Sequence, residues 1–403
     1  MDDTHASPVI RVLCLDIEGG HGGSSRSLFQ SLLHMDRDVI APEVIVRRPG
    51  AIEERYQELD IPVRIMPDLP KASALQTWRG TAKVYAIAAR AIWIARPTIK
   101  TLADDISTRF DVVHFNHVGY WLLAGALRRR TQTPFVMHIR TMGYGTFWTT
   151  FEARRLGRTG NRMVYITENE QTRFQAAGVR APGTVIYNIA ESQKGVSRHK
   201  SVPDDGRFTI ACLSNFSWER GIDRLISIAQ SLQARGRTDF RFVVAGDMTL
   251  PKYLAGNLGD IGRQGGTLVD YAKSQGVAGM FLFLGHIPNP DKVLAASHML
   301  IKPTRESNPW GRDVIEALAA AKPVATFGTY DTFVEDGKTG ILMAEFDAEA
   351  MASRLEHLAD DRAACAAMGI VGQARVATLC NGPERARDLA AVWTSVVENS
   401  KCG

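Results

Sequence analysis

The residues best suited to chemistry in this 403-residue chain lie between Lys302 and Gly328, in the stretch KPTRESNPWGRDVIEALAAAKPVATFG. The pattern predicts a strand that ends near Pro303, a polar loop, and a helix that begins near Arg312. Glu316 would lie in the first turns of that helix, where its carboxylate can accept hydrogen bonds from a ligand diol. The free amides and the positive dipole end of the helix favour a phosphate. Taken alone, Glu316 could also be an exposed residue that complements the helix dipole.

A glycine-rich segment after the first predicted strand offers a second place for an anion. It reads GGHGGSSRSL over residues 19–28 and precedes a helix predicted over residues 27–35. Gly22 and Gly23 would allow a ligand to approach the backbone closely at a helix N-terminus. The segment is not the GxGxxG dinucleotide fingerprint, because no acidic residue is clearly placed about 20 residues later, after a second strand. A tight glycine turn can also serve packing alone.

Apolar, β-branched runs alternate with helical patterns along the whole chain, which is typical of parallel α/β units. We predict an α/β fold of two doubly wound, Rossmann-like domains that face each other across a cleft. The first domain spans residues 1–190 and the second spans residues 208–382. The polar, Ser- and Lys-rich segment 191–207 is predicted to be the linker between them. Residues 383–403 are predicted to return as a helix to the first domain.

Composition and charge exclude several classes of protein. The net charge of +5 is too small for a dedicated nucleic-acid-binding protein. The first 200 residues carry 27 basic and 19 acidic side chains, a balance of +8, and the remaining 203 residues carry a balance of −3. The five cysteines lack the spacing of a zinc site or a disulfide framework. Without a signal-peptide pattern or an apolar run of 18 residues, the protein is predicted to be cytoplasmic.

In the order of its motifs, the chain resembles the retaining GT-B glycosyltransferases of family 4. The family pattern is a Glu, seven residues, a second Glu, an Ala, and a small-residue stretch before Pro-Val. Asn308 stands at the first Glu position, with Glu306 two residues earlier, and Glu316 stands at the second. The segment LSNFSWERGIDRLISIA resembles the family segment whose Arg and Lys hold the donor pyrophosphate. Asn215 takes the Arg position and Arg220 takes the Lys position.

The resemblance implies the function and the site. It implies a retaining, metal-independent transfer of a sugar from a nucleotide diphosphate sugar to a glycan or lipid-linked acceptor, with no cofactor. Surface polysaccharide or lipopolysaccharide synthesis in bacteria is the expected setting. Catalytic roles are implied for Glu316, which would hold the ribose, for Arg220, which would face the diphosphate, and for Asn308. The implied donor-binding residues are Gly22, Gly23, Asn215, Trp310, Gly311 and Arg312.

The segment PFVMHIR, residues 134–140, resembles a family segment that usually ends in a functional histidine. Arg140 occupies the place of that histidine, and His138 lies two residues before it. Both are candidates to face the acceptor or the transferred sugar. A role in the core or in a loop is the alternative for each of them.

A basic segment of the first domain suggests where the protein could bind its acceptor. Between Lys71 and Arg180 there are 17 basic and 6 acidic residues. Residues 78–100 interleave Trp78, Tyr85 and Trp93 with five cations, as expected of a helix that lies on an anionic membrane surface. The alternative is a packed helix whose cations extend to solvent. The protein is therefore predicted to be cytoplasmic, at the inner face of the plasma membrane where it meets a membrane-bound acceptor.

Two other functions fit the same resemblance. A GT-B nucleotide-sugar 2-epimerase shares the two-domain cleft but needs general acid and base groups near the sugar. A catalytically weakened GT-B binding protein would be consistent with the replacements at Asn215 and Asn308. The Pro-Trp-Gly loop and the order of the motifs favour a transferase.

Overall fold

A computed structural model describes residues 9–16, 22–71, 82–141, 147–191, 195–306 and 308–401, and of residues 82–85 and 148 only the backbone. The chain divides into two compact units. The first unit comprises Met1–Ile189 together with Gly382–Gly403, and the second comprises Ala190–Asn381.

A parallel sheet of seven strands forms the centre of the first unit, within the described residues. The strand order is β3-β2-β1-β4-β5-β6-β7, and every strand pair is parallel. The order reverses direction between β1 and β4. The strands are β1 (Ile10–Leu15), β2 (Ile40–Val46), β3 (Val63–Ile65), β4 (Val112–Phe115), β5 (Phe135–Ile139), β6 (Arg162–Tyr165) and β7 (Gly183–Val185).

Helices cover both faces of this sheet, because its strands are apolar on both sides. On one face, Leu13 and Phe135 pack among the residues of α4, α5 and α6, and on the other Val12 and Val136 pack against α1 and α15. The helices are α1 (Gly23–Leu33), α2 (Ala51–Gln57), α3 (Ala82–Ile94), α4 (Arg96–Arg109), α5 (Trp121–Leu127), α6 (Phe147–Thr159), α7 (Glu168–Ala176) and, from the end of the chain, α15 (Gly382–Lys401).

The second unit is built around a parallel sheet of six strands, again within the described residues. Its order is β10-β9-β8-β11-β12-β13, so the direction reverses between β8 and β11. The strands are β8 (Phe208–Leu213), β9 (Phe240–Ala245), β10 (Phe281–Gly285), β11 (Met299–Lys302), β12 (Val324–Phe327) and β13 (Gly340–Met343). The helices are α8 (Arg224–Ala234), α9 (Gly256–Arg263), α10 (Leu268–Ser274), α11 (Asp291–Ala295), α12 (Arg312–Ala319), α13 (Ala348–Asp360) and α14 (Arg362–Leu379).

The predicted fold class is confirmed. Both sheets are parallel and doubly wound, and the C-terminal helix α15 packs on the first unit through buried residues such as Trp393. The first helix begins at Gly23, four residues earlier than the predicted Ser27, because Gly22 is an extended N-cap and the Ser27 hydroxyl bonds back to the carbonyl of Gly23 within the helix.

The segment predicted as a linker is held against the second unit. The amide of His199 donates to the carbonyl of Lys292 at 2.9 Å, and Val202 is buried. Arg241 donates to Asp205 at 2.9 Å from strand β9. The described residues from 195 to 207 therefore belong to the second unit, because their backbone and side-chain partners lie there.

Among the described residues, one helical stretch, Arg362–Lys401, is long enough to cross a membrane and contains an 18-residue window apolar enough to do so, with a mean hydropathy of 1.4. It comprises α14 and α15, which are separate helices here. In α15 the apolar side chains are buried against the first unit, including Leu389, Val392 and Trp393. Packing thus accounts for the apolar side chains of α15, whereas the most apolar window, residues 363–380, lies almost entirely in α14 and is 28% buried.

Glycines of α14 bring this helix close to α12, which carries Glu316. A Cβ added at Gly369 would lie 2.0 Å from the carbonyl oxygen of Ala321, and one added at Gly372 would lie 2.6 Å from Leu318 Cδ2. The side-chain amide of Gln373 also donates to the carbonyl of Ala319 at 2.7 Å. The small residues of α14 therefore fix the position of α12.

We expect Gly369→Ala to lower the free energy of unfolding by about 1–3 kcal/mol, because the new methyl group would overlap a backbone carbonyl that cannot move alone. Urea unfolding measures the change. The matched control is Gly125→Ala in α5, where an added Cβ would meet nothing within 4 Å. That change should raise the stability by up to about 1 kcal/mol, as helix propensity predicts. Equal effects of the two substitutions would contradict the close packing of α14.

Candidate active site

The loops that follow β8 and β9 are joined by Asn215. Its Oδ1 atom accepts a hydrogen bond of 2.9 Å from the amide of Asp247. The two loops approach closely at Gly246, which has a φ of +143° and where a Cβ would lie 2.5 Å from the carbonyl oxygen of Ser214. Asn215 therefore ties these loops together through its oxygen, a role that a cation could not fill.

Arg220 lies exposed at the end of the turn that follows Asn215. Its Nη1 atom is 3.4 Å from the carbonyl oxygen of Asn215, and its amide donates to the carbonyl of Ser217. Among the described residues, no carboxylate forms an ion pair with Arg220. The guanidinium is thus a solvent-facing positive charge held close to the carboxyl end of β8.

A half-buried arginine with no recognisable sequence motif, Arg305, holds the turn of Arg220 against the loop after β11. Arg305 forms a two-pronged ion pair with Asp223, at 2.7 and 2.5 Å, and its guanidinium lies 3.6 Å above the Trp218 ring. The amide of Arg305 also donates to the carbonyl of Glu219 at 2.8 Å. An Arg is well suited to this position, because its planar group can stack and pair at the same time.

The predicted Glu316 lies in α12, with its side chain 9% exposed. Its Oε1 atom accepts hydrogen bonds from Arg312 Nε at 3.0 Å and from Arg312 Nη2 at 2.7 Å. The two residues are one helical turn apart, which is the spacing that allows such a pair. The family resemblance implies that both residues lie at the donor, and the structure shows in addition that they bind each other.

The loop that precedes α12 is fixed by a lysine from the end of β11. Lys302 Nζ donates to the carbonyl of Trp310 at 2.8 Å and is 3.4 Å from Asp313 Oδ1. A Cβ at Gly311 would lie 2.5 Å from this Nζ atom, so the absence of a side chain at Gly311 allows Lys302 to approach. Trp310 is buried, 5% exposed, and packs on Phe333 with 5.2 Å between ring centroids. Its indole therefore supports the loop from within.

Asn308, by contrast, is half-buried in the same loop, and Glu306 is exposed. The loops after β8 and β11 are thus brought together on the second unit. They carry Asn215 and Arg220 on one side and Asn308 and Glu316 on the other. This is the point where the strand order reverses, and open α/β sheets bind ligands there.

Cys212, at the end of β8, is not suited to act as a nucleophile. Burial is the main cause that raises the pKa of its thiol to about 12, and the negative charge of Asp313 adds to the effect. A thiol with this pKa is protonated at neutral pH and is a poor nucleophile. Within the described ranges, no group of three or more His, Cys, Asp or Glu side chains could hold a metal ion.

On the first unit, the described part of the glycine segment begins at Gly22. This residue has a φ of −109°, and a Cβ built on it would find only Ser24 Oγ, at 3.8 Å. Neither backbone conformation nor packing requires a glycine there. Gly23 is exposed as the first residue of α1. Residues 19–21 of the segment lie outside the described residues.

Arg140 follows β5 at the carboxyl edge of the seven-stranded sheet. Its Nε donates to Asn116 Oδ1 at 2.7 Å, and its Nη1 donates to Asn188 Oδ1 at 2.9 Å. His138 lies within β5 and is only 4% exposed. Its Nδ1 atom is 3.3 Å from Arg140 Nη2 and 3.3 Å from His114 Nε2. The structure therefore places Arg140 at the edge and His138 in the core.

Burial has a clear effect on the two histidines. It is the main cause that lowers the pKa of His114 to about 3 and that of His138 well below its usual value, with the charge of Arg140 acting in the same direction. Both imidazoles are therefore neutral at physiological pH. A direct contact between His138 and a substrate is not favoured by this position.

Comparison with known proteins gives two family models that match in succession. Residues 21–193 match the model described as glycosyltransferase family 4, and residues 193–375 match the model described as glycosyl transferases group 1. The lipopolysaccharide core biosynthesis mannosyltransferase LpsB of Rhizobium meliloti is 26% identical over 287 residues, which cover 68% of this chain and 76% of LpsB.

Solved structures of similar fold span nearly the whole chain. HepE of Anabaena, solved in complex with UDP-glucose, is 19% identical with a TM-score of 0.72, covering 96% of this chain and 100% of HepE. The lipopolysaccharide outer core galactosyltransferase WaaB is 11% identical with a TM-score of 0.63, covering 96% of this chain and 100% of WaaB. With the two consecutive family models and the two doubly wound units, these likenesses identify the chain as a glycosyltransferase of the GT-B fold.

Proposed function

We propose that this glycosyltransferase retains the anomeric configuration and transfers a sugar from a nucleotide diphosphate sugar to a glycan or lipid-linked acceptor of the bacterial surface. The observation that carries the proposal is that Arg305 ties the turn of Arg220 to the loop that leads into α12, with its Arg312 and Glu316, at the strand reversal of the second unit. LpsB and WaaB, both named as enzymes of the lipopolysaccharide core, support an acceptor in lipopolysaccharide or a related glycan.

The donor diphosphate would be bound by Arg220 and by the amides at the start of α12. Departure of a diphosphate from the anomeric carbon places negative charge on phosphate oxygens, and fixed positive groups stabilise that charge. Arg220 has no carboxylate partner within the described part of the chain, so its charge is available for this role. Arg312, held by Glu316, would add a second cation where Asn215 replaces the family arginine.

Glu316 would accept hydrogen bonds from the ribose hydroxyls of the donor. A carboxylate has acceptor capacity for more partners than one guanidinium. Arg312 binds Oε1 through two of its nitrogens and so fixes the carboxylate in one orientation before the donor binds. Binding is stronger when such a group is already ordered. Asn308, in the loop before α12, would offer an amide to the transferred sugar.

Retention would follow from attack on the same face that the leaving group occupies. The bond between the anomeric carbon and the diphosphate oxygen breaks, and a bond to the acceptor oxygen forms. The acceptor hydroxyl proton passes to an oxygen of the departing diphosphate. No protein nucleophile is needed for this sequence, and no metal ion is included, because Arg220 and the helix amides supply the positive charge.

The first unit would bind the acceptor at the carboxyl edge of its sheet, where Arg140 is held by Asn116 and Asn188. It would also meet an anionic membrane. Of the basic segment 78–100, residues 78–81 lie outside the described residues, and residues 82–85 are described only in their backbone. In the remainder of α3, Ile87, Trp93 and Ile94 are 61%, 63% and 61% exposed.

The exposed face of α3 has the chemistry of an interfacial helix. Arg90 is exposed between Ile87 and Ile94, and Arg96 and Lys100 are exposed in the following helix α4. Apolar side chains would enter the headgroup region of the bilayer, and the cations would bind anionic lipids. We therefore propose a cytoplasmic protein that works at the inner face of the plasma membrane.

Glu316→Gln should weaken donor binding by about 10- to 150-fold, because hydrogen bonds to a charged group contribute about 1.5–3 kcal/mol. The donor is first found by thermal shift with a panel that includes UDP-glucose and GDP-mannose, and its affinity is then measured by calorimetry. The matched control is Asp105→Asn, which removes another ion pair of the same spacing, with Arg109 on α4. This control should leave donor affinity unchanged.

Three outcomes of that experiment would count against the proposal. Full transfer activity in Glu316→Gln and in Glu316→Ala would show that Glu316 does not take part in donor binding. Release of an epimerised nucleotide sugar by the wild-type protein, without any acceptor, would favour a 2-epimerase. Tight donor binding with no transfer to glycolipid extracted from cells that lack this protein would favour a binding protein.

Transfer should proceed at an unchanged rate in millimolar EDTA, because fixed cations rather than a divalent ion stabilise the leaving diphosphate. Initial rates are compared with and without EDTA, using glycolipid from cells that lack this protein as the acceptor. Mg²⁺ and Mn²⁺ are then added back as the control. Loss of activity in EDTA that either ion restores would overturn metal independence.

The variant Arg90→Glu should bind anionic vesicles about 30-fold more weakly, since each basic residue near the surface contributes about 1 kcal/mol and the change removes two units of charge. Vesicles of phosphatidylglycerol and phosphatidylcholine are sedimented at low salt. A second variant, Ile87→Ser with Trp93→Ser, should also bind weakly. The control is Tyr253→Ser, which removes an exposed aromatic side chain of the second unit and should leave vesicle binding unchanged. No sedimentation of the wild-type protein would refute the membrane contact.

A further inference from the structure

A chain of hydrogen bonds leads from the C-terminal helix α15 to Arg140 through the core of the first unit. Trp393 Nε1 donates to His114 Nδ1 at 3.2 Å. His114 Nε2 is 3.3 Å from His138 Nδ1, and Arg140 Nη2 is 3.3 Å from the same Nδ1 atom. Trp393 and His114 are fully buried, and His138 is nearly so. Helix α15 thus reaches a side chain at the acceptor edge of the sheet.

The chemistry of the end groups determines where each proton lies. An indole and a guanidinium can only donate, so His114 Nδ1 and His138 Nδ1 must both accept. The proton of neutral His114 is therefore on Nε2, from which it donates to His138. The proton of neutral His138 is on Nε2 as well. Only this arrangement is compatible with all three contacts, with the single lone pair of His138 Nδ1 shared between His114 and Arg140. Among the described residues, His138 Nε2 has no hydrogen-bond partner. Protonation of either imidazole would place a hydrogen against a donor.

The other partners of Arg140 complete its orientation. Asn116 accepts from Arg140 Nε, and its own amide group donates to Asp16 Oδ1 at 2.9 Å and to the carbonyl of Ser24 at 3.1 Å. Asn188 accepts from Nη1. Asn116, which follows β4, and Asn188, which follows β7, therefore hold two nitrogens of the guanidinium, and the imidazole of His138 holds the third. Groups that follow β1 fix Asn116 in turn.

We propose that Trp393, His114 and His138 are positioning residues that orient the guanidinium of Arg140 toward the acceptor. The inference rests on the proposed acceptor role of Arg140. The histidines act through Arg140 and do not touch the substrate. A neutral imidazole suits this task, because it accepts the hydrogen bond without adding a negative charge beside the guanidinium.

The hydrogen bonds are tested first without any substrate. In the full chain labelled with ¹⁵N-histidine and ¹⁵N-arginine, His114 and His138 should give the signals of neutral imidazoles protonated at Nε2, unchanged between pH 5 and pH 8. Trp393→Phe keeps a buried ring but removes the indole donor. It should change the Nδ1 signal of His114 and shift the Nε–H signal of Arg140. Leu389→Ala, at another buried position of α15, is the control and should leave both signals in place.

The effect on the reaction is tested with glycolipid extracted from cells that lack this protein. Trp393→Phe and His138→Leu should raise the acceptor KM by about three- to tenfold, the factor expected for one lost hydrogen bond, with kcat nearly unchanged. His138→Asn should restore the KM, because the amide oxygen can replace Nδ1 as an acceptor. Leu389→Ala should not change the KM.

Each part of the proposal has a result that overturns it. Nδ1–H signals, titration between pH 5 and pH 8, or an Arg140 signal unaffected by Trp393→Phe would refute the hydrogen-bond chain. An acceptor KM that Arg140→Ala leaves unchanged would refute the acceptor role of Arg140, while the NMR signals would still report on the chain of hydrogen bonds. A KM for His138→Asn as high as that for His138→Leu would show that His138 serves packing alone.

Discussion

The parallel register of the strands is the constraint on which the candidate site depends. All strands of a parallel sheet end at the same edge, so the loops that follow them meet there whatever their distance in sequence. Where the strand order reverses, the loops after two neighbouring strands turn away to opposite faces and leave an opening. On the second unit this occurs between β8 and β11. Arg220 follows the first of these strands, and Glu316 follows the second.

Placing a cation at such an opening requires a rigid support, which buried ion pairs and close backbone contacts provide. Arg305 joins the two loops by pairing with Asp223 and stacking on Trp218. At Gly221, whose φ is +66°, an added Cβ would lie 2.1 Å from the carbonyl oxygen of Pro303, so the loops meet through backbone alone. The charges of Arg305 and Asp223 neutralise each other. Among the described residues of these two loops, Arg220 is therefore a cation that pairs with no carboxylate.

The fold could be predicted well from the sequence, because buried parallel strands are continuous apolar runs and helices between them are amphipathic. The site could be predicted only in part. Glu316 and Arg220 could be nominated as candidates because their motifs have characteristic spacing. Arg305 and Lys302 were missed, since a cation that pairs within the fold has no pattern that distinguishes it from a surface residue. The buried position of Trp310 could not be predicted, because it depends on contact with Phe333.

The position of His138 shows most clearly why spacing alone was insufficient. Its alternation with Val136 and Arg140 along β5 predicts that all three face one side of the sheet, but not which helix covers that side. The covering helix is α15, and its Trp393 is 279 positions beyond the His114 to which it donates. The buried Nδ1 atom of His114 finds its partner in this helix, and an unpaired buried acceptor would be costly. His138 thus lies in the core within β5, and Arg140 lies at the edge just after the strand. Helix α15, which buries His138, also influences the orientation of Arg140.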